Sequence, residues 1–212
     1  AQFKRTEPGT DVTVTTGASG SLVAQIENGA PYDLFLSADL EFPAALIAHG
    51  GAEKESLTKF AVGRLVLWTT RPAIDVVSLN GTVRSQAVQK LAIANPQSAP
   101  YGRAAKEALT KLGLWADAQP KLVVGENISQ TAQFVETGNA DAGFVAMSLV
   151  LSPKLKDRGK WIEVPADLYA PLDQGAVITH RGRDNQAAKR YVAFLLSPAA
   201  QEILARFGYR SP

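Results

Sequence analysis

The chain has 212 residues, 46% of them hydrophobic and 20% charged, which is enough apolar side chain to fill one large core or two small ones and excludes a disordered polymer. The formal net charge is +2 and the basic residues are scattered singly, which argues against nucleic acid or an anionic membrane as partner. The absence of cysteine excludes disulfides, thiolate metal sites and a cysteine nucleophile.

No stretch approaches the roughly 18 to 20 apolar residues that span a bilayer, so no direct membrane insertion is expected. The first residues, Ala1-Gln2-Phe3-Lys4-Arg5, lack the apolar segment of a signal peptide. A soluble chain with its export signal already removed is therefore expected. Asp11 to Thr16 reads as a strand, followed by the turn Gly17-Ala18-Ser19-Gly20-Ser21 and a helix from about Ser21 to Glu27, closed by Asn28-Gly29. Leu34 to Ser37 is the next strand, and Pro43 to His49 a helix ended by Gly50-Gly51. A long apolar strand follows at Arg64 to Thr69. After it come a strand at Leu91 to Ala94, the loop 95–102 and a helix from Arg103 to Leu112 closed by Gly113.

The same unit then recurs: strand Lys121 to Val124, loop Gly125-Glu126-Asn127, helix Ile128 to Glu136, strand Ala142 to Ala146. Strand segments at Trp161 to Val164 and Gly175 to Thr179 precede two C-terminal helices, Gln186 to Leu195 and Pro198 to Phe207. Alternating strands and helices predict an α/β fold with mostly parallel sheets. The recurrence without any flexible linker predicts two lobes joined by close crossovers near Val62 to Leu67 and Val164 to Ala176. The expected division is 1–62 plus 176–212 for one lobe and 63–175 for the other.

Candidate chemistry is concentrated where strands give way to helix starts, which present unpaired N–H groups and roughly half a positive charge. Three such starts share one layout, at Ser19-Gly20-Ser21, Pro100-Tyr101-Gly102 and Asn127-Ile128-Ser129. Gly17 and Gly20 let the backbone beside Ser19 approach a ligand. Pro100 leaves the Tyr101 and Gly102 N–H groups free, and Asn127 reads as an N-cap that leaves Ile128 N–H as a donor. Each start taken singly is also ordinary capping chemistry. Arg103 reads as a solvated side chain, and Tyr101 is assigned through its backbone rather than its phenol.

Several segments resemble the periplasmic molybdate-binding proteins: 17–39, Gly63 to Trp68, Ala92 to Gly102, Asn139 to Ala146 and the ending Ala205 to Tyr209. The likeness covers essentially the whole chain. It implies a two-lobed periplasmic-binding-protein fold of type II, with the ligand cleft between lobes. It implies a molybdate or tungstate dianion held by neutral donors: Ser19 through hydroxyl and N–H, Tyr101 and Ile128 through N–H. No cofactor, no direct protein–metal ligand and no catalysis are implied. The implied partner is the membrane permease of an ABC importer, and the implied location the bacterial periplasm.

One branch of that family adds a tyrosine hydroxyl from the returning strand. Here Gln174 takes that place, with Tyr169 a weak substitute. The family's first strand, ligand loop and half of its first helix have no counterpart, so about twenty residues are expected to be missing, leaving strand edges unpaired. A chain limited to these residues is expected to bind more weakly, or to take that strand from a partner chain. Otherwise a monomer is expected.

Among alternatives, sulfate, phosphate or iron carriers share the scaffold. A serine hydrolase built on Ser19 with His180 lacks the second glycine of a nucleophile elbow, since Ser21 stands there. No zinc, calcium or nucleotide-phosphate motif occurs.

Overall fold

A computed structural model describes residues 2–212; Ala1 lies outside the described residues. In chain order the elements are α1 (Gln2–Thr6), α2 (Ser19–Glu27), β1 (Leu34–Ser37), α3 (Glu41–Ala48), β2 (Thr58–Gly63), β3 (Leu65–Thr69), α4 (Leu79–Arg84), β4 (Leu91–Ala94) and α5 (Pro100–Lys111). There follow α6 (Trp115–Ala118), β5 (Leu122–Gly125), α7 (Ile128–Glu136), β6 (Ala142–Ala146), α8 (Met147–Val150), β7 (Lys160–Glu163), β8 (Leu172–Ile178), α9 (Gln186–Leu195) and α10 (Pro198–Arg206).

The strands form two sheets, β1-β8-β2 and β5-β4-β6-β3-β7, so the molecule has a small body and a large one. In the large body β4 runs parallel to β5 and β6, while β3 is antiparallel to β6 and β7. Alternation along β3 explains its burial on both sides. Leu65 and Leu67 join a core with Leu91, Ile93, Leu109 and Phe144, whereas Val66 and Trp68 join one with Val135, Val145 and Met147.

In the small body Phe35, Val177, Val23 and Leu46 pack the sheet against α2 and α3. On another cluster Phe60, Ala61, Ala176 and Leu195 meet Tyr191 and Leu204 of α9 and α10. Phe3 of α1 stacks edge-on against Tyr191 with ring centres 4.8 Å apart.

Two expectations need correcting. The small sheet is antiparallel throughout its described pairs rather than mostly parallel. The cause is topological, because the chain leaves the small body along β2 and returns along β8, and adjacent outgoing and returning strands must oppose. Residues 11–16 form no ladder: they are irregular and exposed, with Val14 75% accessible. β-branched composition favours extended backbone, but a strand also needs a partner for its N–H and C=O groups. A strand beyond those expected from sequence, β2, carries the chain towards the crossover.

Candidate functional site

The three helix starts form by different local means. α2 begins at Ser19, two residues earlier than the sequence pattern suggests, after an extended Ala18 that offers no side-chain cap. α5 begins at Pro100, again with no side-chain cap, and the Gly102 and Arg103 N–H groups both turn back to Ala99 O. α7 is capped by Asn127, whose side chain accepts from Gln130 N–H at 2.9 Å. At the first helical turn the earliest N–H groups have no intrahelical acceptor, so those of Ser19, Tyr101 and Ile128 are left to other partners.

These starts come together. Ala18, Ala94 and Ala99 form one buried apolar cluster, and Ile128 packs against it. Gly20 N–H donates to Ser98 O at 2.9 Å, tying the start of α2 to the loop before α5. The approach is close enough to require glycine: a Cβ on Gly20 would lie 2.8 Å from the Phe42 ring and 3.3 Å from Ser98 Cα. Gly102 is tighter still, since its Cβ would lie 2.1 Å from Ala94 O. Ser19 is buried, and its Oγ accepts from Ala38 N–H at 3.3 Å, which leaves its own hydroxyl hydrogen to be donated elsewhere.

Arg103 is not simply solvated. It reaches from α5 in the large body to Asp39 at 2.7 Å and Glu41 at 2.8 Å in the small one. Asp39 is buried and also accepts from Ser37 Oγ and Phe42 N–H. The guanidinium charge is thus neutralised by two carboxylates, and what the helix starts contribute is dipolar. This ion pair and the Gly20–Ser98 bond hold the two bodies against each other, so the arrangement is a closed one.

The hinge side is lined by tyrosines. The Tyr101 phenol is buried, and burial pushes its pKa well above the ordinary tyrosine value, with Tyr209 and Tyr169 adding smaller contributions. Tyr169 Oη accepts from Leu65 N–H at 3.2 Å, so it supports the crossover strand. Gln174 donates through Nε2 to Leu172 O at 2.7 Å and Ala38 O at 3.3 Å. Tyr209, at the chain's end, donates to Ser148 Oγ.

Ser19 Oγ and His180 do not pair among the described residues: His180 sits beside Glu53 at 3.3 Å, and His49 beside Glu27. The interbody ion pair and the Ala38 contact had no sequence signal, because each joins residues far apart along the chain.

The family model of the bacterial extracellular solute-binding protein matches residues 1–210. The molybdate-binding protein ModA of Azotobacter vinelandii is 43% identical over 209 residues, covering 99% of this chain and 82% of that one. ModA of Rhodobacter capsulatus is 45% identical over 201 residues, covering 95% and 78%. The solved periplasmic molybdate-binding protein of A. vinelandii superposes with a TM-score of 0.92 at 36% identity, over 100% of this chain and 91% of that one. The two-lobed α/β architecture, the helix starts meeting between its bodies and these likenesses agree, and the chain belongs to the bacterial extracellular solute-binding protein family.

Proposed function

We propose that this chain binds molybdate or tungstate in the bacterial periplasm and presents it to the permease of an ABC importer, acting as a carrier rather than an enzyme. The observation that carries this reading is the meeting of three helix starts from two bodies on one small apolar cluster. Neutral N–H groups and one hydroxyl then face the anion, Ser19 from the small body and Tyr101 and Ile128 from the large one. Helix starts favour negative charge, and a site of donors alone suits an oxyanion that carries no proton. The relatives named above as molybdate-binding proteins support the choice of ligand.

The lobes are assigned as 1–62 with 176–212 and 63–175, with a monomer as the working unit. An anion bridging them adds affinity only to the closed arrangement and so shifts the population towards it, which is the signal a permease reads. Molybdate and the smaller sulfate share charge and shape, so cavity size discriminates between them.

A thermal-shift series with molybdate, tungstate, sulfate and phosphate tests the reading. A ligand that binds only the folded chain raises the melting midpoint by mass action. Large shifts with molybdate and tungstate and smaller ones with sulfate and phosphate are expected. No shift with the first two, or a larger one with phosphate, overturns it.

A further inference from the structure

β1 and β8 pair from Leu34 opposite Ile178 to Ser37 opposite Gly175, and one further step of that register would set Ala38 opposite Gln174. The ladder stops there. A Cβ on Gly175 would lie 3.0 Å from Asp39 O, so the chain folds closely over β8 as it leaves the sheet. Ala38 therefore needs other partners for its main-chain groups, and side chains supply both. Its N–H donates to Ser19 Oγ and its C=O accepts from Gln174 Nε2, each at 3.3 Å.

Gln174 is only 6% exposed, and a buried amide is tolerated when its hydrogens are bonded. Its second acceptor is Leu172 O at 2.7 Å, two residues back on β8. Both neighbours are carbonyl oxygens, so the nitrogen end of the amide must face them. The side chain thus forms a bracket from the strand to Ala38. On the far side Asp39 is tied by its N–H to Ser37 Oγ and by its carboxylate to Phe42 N–H and Arg103.

The bracket bears on the site through Ser19. A serine oxygen has two lone pairs and one hydrogen. With a lone pair held by Ala38 N–H, the hydrogen is turned away from Ala38; in the anion-binding reading above, on which this inference rests, it is turned to the ligand. Without the bracket the peptide can shift and the hydroxyl can rotate, and a donor that must be ordered on binding contributes less affinity. We infer that Gln174 is a positioning residue: through the Ala38 peptide it fixes the direction in which the Ser19 hydroxyl donates. β1, β8 and α2 all belong to the small body, so these bonds do not depend on contact with the large one.

Gln174→Met keeps the length of the side chain and removes both hydrogens. Molybdate affinity, measured by calorimetric titration, is expected to fall about fivefold. Ser19→Ala removes the group being aimed, so in that background Gln174→Met should cost less than about twofold; a merely structural glutamine would cost the same in both. Equal losses in the two backgrounds, or unchanged affinity in Gln174→Met, overturn the inference. The ligand-free chain gives a second reading by NMR. The Ala38 amide proton lies outside the ladder, yet it should exchange with solvent slowly in the parent and about fivefold faster in Gln174→Met. Exchange at the solvent rate in the parent overturns the inference even if Gln174→Met fails to fold. Because this exchange is measured with no oxyanion present, a chain that bound none of them would still return it, which separates this failure from that of the anion assignment.

Discussion

The two walls of the proposed site are made of different material. The small body adds a side chain to its one main-chain N–H: the Ser19 hydroxyl, held in place by Ala38 N–H. The large body offers main chain: the Tyr101 phenol turns to the hinge, and the Ile128 side chain packs into apolar clusters. A hydroxyl is removed by one substitution, whereas a backbone donor is lost only by moving the helix that carries it. The large wall is accordingly backed by strands buried from end to end, such as β4 and β6, while β1 behind the small wall alternates between buried and exposed.

The sharpest way to break this comparison is to move the main-chain wall. In Gly102→Ala the new methyl group would meet Ala94 O at 2.1 Å, so the start of α5 must shift. Stability is expected to fall by about 3 kcal/mol or more, with loss of measurable molybdate binding. Denaturant melts and calorimetric titration check this; retained affinity would show that the α5 donors are not used. Next comes the side-chain wall. Ser19→Ala removes one hydrogen bond to a charged ligand, about 1.5–3 kcal/mol, so affinity should drop about 10- to 100-fold with the melting point nearly unchanged.

Arg103→Ala strikes between the walls. It leaves Asp39 buried and without its cation in the closed state, so binding should weaken about tenfold and the ligand-free chain should open, visible as a larger radius in small-angle scattering. The smallest effect separates cap from ligand donor. Asn127→Ala removes the bond to Gln130 N–H and should cost about 1 kcal/mol of stability while changing affinity less than about threefold.

Much of this was legible because helix starts carry local chemistry. Pro100 and Pro198 at first turns, and Asn127 as a cap, are signals complete within four residues, and α7 and α9 lie at their expected limits. Residues 11–16 failed for the opposite reason: strand-like composition states a preference, and pairing depends on a neighbour that local sequence does not supply. The direction of β8 and the reach of Arg103 to Asp39 are likewise decided by the path of the chain, across 64 residues in the second case. Gly63, at the end of β2, leaves room for the Tyr101 phenol, a contact that no local pattern announces.

The crossings between the bodies are themselves laced together. Gly63 lies opposite Leu172 and Val62 opposite Asp173, while Val62 also bridges to Arg210 near the chain's end. A protease that nicks the loop between Glu163 and Leu172 therefore cuts one covalent tether, leaving the halves joined through the junction of β2 with β3 while the ladder to β2 keeps β8 in the small sheet.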